Sequence, residues 1–474
     1  MKKFILVLML MCSVSVYAQQ TQKEKIEAVR VLFQQYFNEK NAEKIYSLAG
    51  EDFKKEIAED AFTGICENQL FPLGSLNEVV LENFTNGVNR YKAVFEGAVL
   101  NMFLSLDSSG KLQTFLFKPY KEPVVNKKVS VLSGNALQTP LDKNVDSIIQ
   151  SYIRDASTSG VSIGILKDGK TYIYHYGETK KGNKQLPDNN SIYEIGSVSK
   201  TFTAILLADA FKKNKIKLTD EVNKYLPDSI PALQQENKPV TIQMLINHSS
   251  AIPRMPDNFM QPDIDEDNPY KMYDKQDLFS YLKNLQLKRA PGKTYEYSNT
   301  AVGLLGVILE NIYKKSYNEL ISDVICKPLG LTDTKQLLAA ADQQRFVQGY
   351  TATGEASGAW DFQSLAAAGA IRSTITDMLL YLQANLDTKN KTLNEAIQLT
   401  HIPTFENGGN TVAMAWHILK PDNQKIIFHN GETGGFHSYM AFNQAKKYGV
   451  VILSNCAMGM EEQGNKLIHY LDNN

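Results

Sequence analysis

The stretch YEIGSVSKTFT, residues 193–203, runs straight into AILLADAF. It sets Lys200 in the first turn of a segment that is otherwise nearly all apolar, and burying an ammonium is unfavourable unless something uses it. If Ser197 opens a helix, Lys200 lies on the same face one turn later, so the amine and the hydroxyl meet. The same helix start offers unpaired backbone N–H groups and a positive dipole end, both useful where an oxyanion forms. A serine hydroxyl is unreactive until a base takes its proton, and a desolvated lysine can be that base or tune another. The chemistry is therefore nucleophilic catalysis. Serine three residues before lysine also occurs at Ser108 with Lys111 and at Ser280 with Lys283. The first reads as a hairpin tip and the second as an exposed helix face; only Ser197 leads into a buried helix.

Two further stretches share this character. PGKTYEYSNTAVGLLG places Tyr297, Ser298 and Asn299 before a small-residue apolar helix, and IIFHNGETGGFHSY places His429, Asn430 and Gly431 at a strand end followed by a Gly-rich turn. In this order, after GSVSKTF, the three resemble the active-site motifs of the serine β-lactamase and penicillin-binding protein superfamily, in particular class C β-lactamases and their esterase and D-peptidase relatives. LTDEVNKYLP, VTIQMLINHSSAIP, CKPLGLTDT and AAAGAIRSTITDMLLYL look like connecting elements of that family and extend the resemblance across residues 139–474.

The resemblance implies roles by position. Ser197 is the expected acylated nucleophile, Lys200 its hydrogen-bond partner, Tyr297 the phenol that shuttles a proton, and Asn299 a contact to substrate or to Lys200. The backbone N–H groups of Ser197 and Glu432 form the expected oxyanion hole. A Tyr297 between cationic or donor groups is expected closer to phenolate, hence a base at neutral pH. Gly431 is expected because a side chain there would block substrate along the strand edge. The implied reaction is acyl transfer from a carbonyl through Ser197 to water, with no metal and no organic cofactor.

At the strand motif the sequence departs from Lys-Thr-Gly, having His429 and Asn430 instead of lysine and threonine. A histidine is largely neutral at pH 7 and holds a carboxylate less firmly than lysine does. The leading expectation is an esterase or amidase on a small acyl substrate. D,D-carboxypeptidase or D-aminopeptidase action on cell-wall peptides, and β-lactam hydrolysis, are the alternatives; a catalytically silent binding or sensing module is the alternative of another class.

These residues need elements to hold them. A chain of 474 residues is too long for one ordinary core. Residues 139–474 open with a helical LDKNVDSIIQSYIRDA and two strand-like runs joined at Asp168-Gly169, have a mostly helical middle, and close on three strand-like runs. A sheet built from both ends of a segment with helices inserted between is a mixed α/β arrangement, here an antiparallel sheet flanked by helices with a helical subdomain, as in the β-lactamase and transpeptidase fold. Residues 123–138 are polar and aperiodic and read as a linker. Residues 19–122 begin with helical spacing at Ile26, Val29, Leu32, Phe33, Tyr36 and Phe37 and continue as alternating strands from 77 to 118. That α+β order resembles the small NTF2-like domains, here expected as a binding or spacing module without chemistry of its own.

MKKFILVLMLMCSVSVYA is ordered as a secretory signal, with cleavage expected after Ala18 and a periplasmic or secreted product; it is too short to span a bilayer, and the mature chain has no other candidate span. Lipidation at Cys12 is the alternative, disfavoured by Leu10 and Met11. Cys66, Cys326 and Cys456 are too scattered for a disulfide framework or metal site. A net charge of −1 gives no pull towards nucleic acid. The expected partners are small-molecule or peptide acyl substrates. His175, His401 and His469 are expected on surfaces, His248 as a turn residue, Trp360 and Trp416 as buried packing, the acidic stretch 263–268 as a solvated loop, and His437 as one further site contact.

Overall fold

The structure is a computed structural model that describes residues 25–85, 88–107, 109–120, 130–259, 264–265, 267–407, 410–420 and 424–474. The expected signal, Cys12, the first part of the linker, and residues 263 and 266 of the acidic stretch lie outside these residues. The chain divides into two compact units between Pro123 and Val124.

In the first unit, helix α1 (residues 25–38) is followed by shorter helices and then a four-stranded antiparallel meander, β1 (Leu76–Thr85), β2 (Val88–Phe95), β3 (Val99–Leu106) and β4 (Leu112–Pro119). Every second residue of β2 is buried, so one face of the sheet packs on the helices. Irregular register between β1 and β2 at Leu76/Glu78 and Leu81/Asn83 bends that edge. Phe33 and Phe37 on α1 meet Phe95, Phe115 and Phe117 in edge-on and tilted contacts, a geometry favoured by the ring quadrupoles.

The second unit is a layered mixed α/β domain. Helix α2 (Pro140–Ile153) starts at a capping box between Thr139 and Asp142. Strands β5 (Gly160–Lys167) and β6 (Lys170–Gly177) form a hairpin whose turn residues, Asp168 and Gly169, both have positive φ, as a tight two-residue hairpin turn requires. Leu132–Gly134, within the stretch read as linker, run alongside β6: Gly177 N donates to Leu132 O and Gly134 N to His175 O. After β7 (Ile192–Glu194) comes helix α3 (Ser199–Lys212), then α4 (Asn299–Tyr313), β8 (Arg372–Thr374), α5 (Ile375–Leu386) and α6 (Lys391–Thr400). The chain ends in β9 (Phe405–Asn407), β10 (Asn410–Val412), β11 (His417–Leu419), β12 (Ile426–Glu432), β13 (His437–Asn443), β14 (Tyr448–Ser454) and α7 (Glu461–Asn473).

The large sheet has the order β9-β10-β11-β12-β13-β14-β5-β6, so both ends of this unit meet at the β14–β5 pair. On one face, Val145, Ile149 and Ile153 of α2 and Leu467, Ile468 and Leu471 of α7 bury Ile163, Val450 and Ile452. The opposite face packs on the helical part, which includes α3, α4 and α5. Helix α3 is buried on every side from Ser199 to Ala210, the signature of a helix enclosed by other elements rather than lying on a surface.

His401 does not lie on the surface as expected. It is 2% exposed, and its ring pairs with Asn385 at 3.0 Å; it follows α6 directly, and a histidine with one satisfied ring nitrogen is tolerated inside. Trp416 is fully buried, whereas Trp360 is partly exposed.

Candidate active site

Ser197 sits in a single 3-10 turn, Gly196–Val198, that feeds α3, and Lys200 occupies the first turn of the helix proper. The Lys200 amine donates to Ser197 Oγ at 2.9 Å and to the Ala368 carbonyl at 2.6 Å. That carbonyl is delivered by close packing. Cβ atoms added at Gly303 and Gly306 of α4 would overlap Leu365 and Ala367, so these two glycines let segment 365–371 approach. Ser199 Oγ then accepts from Ile371 N at 3.1 Å, and Thr203 Oγ1 donates to Ala367 O at 2.8 Å.

Lys200 is wholly buried, and burial, helped by the Arg254 charge, holds its amine well below the ordinary lysine value. Once deprotonated, the amine can keep its donation to Ala368 and reverse the other contact, accepting from the Ser197 hydroxyl through its lone pair. Tyr297 supplies the third group, with Lys200 Nζ 4.8 Å from its ring centre. Its position is set by Ser298, the N-cap of α4, whose hydroxyl accepts from Ala301 N and donates to Pro253 O. The expectation of a near-phenolate Tyr297 is overturned. Burial raises its pKa, and the opposing hydrogen bond to Ser197 and charge of Arg254 do not offset this, so the phenol stays protonated at neutral pH.

Strand β12 lies along the same turn. Thr433 N donates to Phe436 O, and neighbouring residues of an antiparallel strand direct their N–H groups to opposite edges. Glu432 N–H therefore faces the outer edge, which β11 covers only from Ile426 to Phe428. A Cβ added at Gly196 would come 2.6 Å from Glu432 N, and one at Gly431 would come 2.8 Å from Ser197 N, so the two amides are neighbours. The added Cβ at Gly431 would also overlap the Ile195 carbonyl. The glycine is required by backbone approach, not by room for substrate. Gly431→Ala should accordingly lower stability by about 1–3 kcal/mol, read from urea unfolding midpoints, and reduce turnover by shifting β12 away from Ser197.

The other expected residues are placed less directly. His429 is 1% exposed, with Nδ1 against the Asn430 carbonyl and Nε2 unpaired. Burial, then His417 and Lys200, depress its pKa far below the ordinary value, so it is neutral. Asn430, on the alternate face, donates to Glu461 at 2.6 Å; His437 pairs with the same carboxylate at 3.0 Å instead of facing Ser197. Asn299 turns its amide to the Met255 sulfur at 3.5 Å, while the donations of Lys200 go to Ser197 and Ala368.

Three neighbours were not singled out in the sequence for this site. His248 fits its turn reading, with φ of 60°, yet its ring lies 4.4 Å from that of Tyr297 and its Nδ1 accepts from Ser298 N. His417 lies 5.4 Å from His429, and burial takes its pKa down to about 4. Arg254 places its guanidinium 5.1 Å from the Tyr297 ring centre. All three come from loops or short strands whose distance along the chain carries no periodic signal.

A serine on a turn at a helix start, hydrogen-bonded to a sealed amine, beside a phenol and two converging amides, defines a serine acyl-transfer hydrolase. The comparisons agree. The Beta-lactamase family profile matches residues 145–471, and the chain belongs to that family. A β-lactamase of Pseudomonas fluorescens is 28% identical over 354 residues, 67% of this chain and 94% of that one. A class C β-lactamase structure superposes with a TM-score of 0.63 at 27% identity, covering 70% of this chain and 97% of that one. The structure of a β-lactamase/D-alanine carboxypeptidase from Pseudomonas syringae gives a TM-score of 0.61 at 25% identity, covering 71% and 99%.

Proposed function

We propose that this chain is an exported, periplasmic or secreted serine hydrolase, acting as an esterase or amidase on a small acyl substrate. The observation that carries the reading is the convergence of Ser197, sealed Lys200 and protonated Tyr297. Neutral Lys200 takes the Ser197 proton as Oγ attacks the carbonyl carbon. The oxyanion lies between the N–H groups of Ser197 and Glu432. Tyr297 gives its proton to the leaving oxygen or nitrogen and regains one from Lys200, and water then releases the acyl group by the reverse relay. A neutral, buried His429 leaves β12 without the cation that Lys-Thr-Gly sets against a penicillin carboxylate, which favours esters and amides ahead of penicillins held in that pose. The N-terminal unit, read as NTF2-like, serves as a binding or spacing module.

A second reading is cleavage of cell-wall peptides ending in D-residues, or of β-lactams, supported by the likeness to the Pseudomonas syringae and Pseudomonas fluorescens enzymes. The deciding experiment offers the purified chain a short aryl ester, a D-alanyl-D-alanine peptide and a penicillin, with intact-mass detection of an adduct mapped to Ser197. Ester turnover with a transient Ser197 adduct is expected. Faster turnover of the peptide or the penicillin would establish the second reading, a lasting adduct without turnover a sensing module, and no reaction would overturn the hydrolase reading.

A further inference from the structure

On β12, where relatives with Lys-Thr-Gly present a cation, His429 is sealed and neutral. Arg254, by contrast, is exposed, and its guanidinium lies over the face of Tyr297. Its backbone is fixed: Arg254 O accepts from Asn299 N and Thr300 N at the start of α4, and from Thr300 Oγ1. Of the two described cations against the Tyr297 ring, Lys200 is buried and Arg254 alone is open to solvent. No described residue forms an ion pair with Arg254. Its charge nevertheless weighs on Lys200, His248, Tyr297 and Glu432, four groups of the site.

A rigidly based guanidinium whose donors pair with no described residue, held against the ring that faces the nucleophile, is suited to a carboxylate, which arginine grips with a planar fork. We propose that Arg254 is the substrate-anchoring residue of this enzyme and that the substrate carries a carboxylate which it binds, the anchoring charge having moved from β12 to the loop bonded to the start of α4. This rests on the hydrolase reading above and specifies its substrate class. The carboxylate resides on the acyl part or on the leaving group, and the two are separable by substrate.

The test uses the full chain at pH 7 with three esters: phenyl butyrate, monophenyl succinate with its carboxylate on the acyl side, and 3-butyryloxybenzoate with its carboxylate on the leaving group. kcat/KM is measured for the wild type, Arg254→Ala and Arg254→Lys. For at least one carboxylated ester, kcat/KM relative to phenyl butyrate should fall about 10- to 100-fold in Arg254→Ala, chiefly through KM, with partial recovery in Arg254→Lys. Loss with the succinate locates the carboxylate on the acyl side, and loss with the benzoate on the leaving group. Unchanged ratios for both carboxylated esters in Arg254→Ala would overturn the proposal while leaving the hydrolase reading intact. Absence of Ser197-dependent turnover of all three would instead overturn that reading, and this proposal with it.

Discussion

Ser197→Ala is expected to reduce ester turnover by roughly ten thousand- to a million-fold, the range seen when a nucleophile that works as part of a unit is removed. The size follows from the geometry. Among the described residues no other hydroxyl is bonded to Lys200: the amine donates to Ser197 and to a backbone carbonyl, and a neutral base beside an empty position performs no acyl transfer. What survives is stabilisation by the Ser197 and Glu432 amides, which alanine leaves in place. The side chain is half-buried and one of its partners, Lys200, keeps its bond to Ala368, so the unfolding midpoint should stay close to that of the wild type. Steady-state rates and a urea melt on the same preparations check both halves. A variant that retained turnover would show that the nucleophile is not Ser197.

The nucleophile and its base were legible because a helix imposes a fixed spacing. The 3-10 turn that carries Ser197 runs into α3, so a three-residue spacing brings Lys200 onto the side of Ser197, and a lysine within a mostly apolar helix is conspicuous by its desolvation alone. The strand motif was legible for a related reason: a two-residue period fixes which side chains of β12 share a face. It also explains what was missed. Alternation turns Asn430 away from His429 and towards Glu461, which motif order does not reveal. Arg254 and His248 reach Tyr297 from a loop whose path depends on Ser298 capping α4 and on Asn299 N and Thr300 N binding the Arg254 carbonyl. Loop paths follow from such tertiary bonds, and no local pattern encodes them. The protonation of Tyr297 failed similarly: cationic neighbours can be guessed from a sequence, but the depth of burial that outweighs them cannot.

Lys200→Met should separate catalysis from stability. Turnover is expected to fall about a thousand- to ten-thousand-fold, since no other described group accepts the Ser197 proton. Stability should move the other way. Burial depresses the folded-state pKa of Lys200, so between that value and the ordinary lysine value of about 10.4 the unfolded chain binds a proton that the folded chain does not. In that window the wild type gains stability as pH rises, and as pH falls it progressively loses stability. Methionine titrates in neither state and fills the same apolar volume, so it removes this penalty while leaving the Ala368 carbonyl without its donor. Inside that window, deprotonating the lysine on folding costs about 1.4 kcal/mol for each pH unit, and exchanging one unbranched side chain for another of similar volume costs less than about 1.5 kcal/mol. An unpaired carbonyl costs about 1–3 kcal/mol. The variant should therefore equal or exceed the wild type in urea unfolding at pH 7, and its advantage should shrink steadily towards pH 10, where both forms of the wild type approach neutrality at this position. An advantage that grew with pH would mean that Lys200 is charged in the folded protein, and the base would then have to be sought elsewhere.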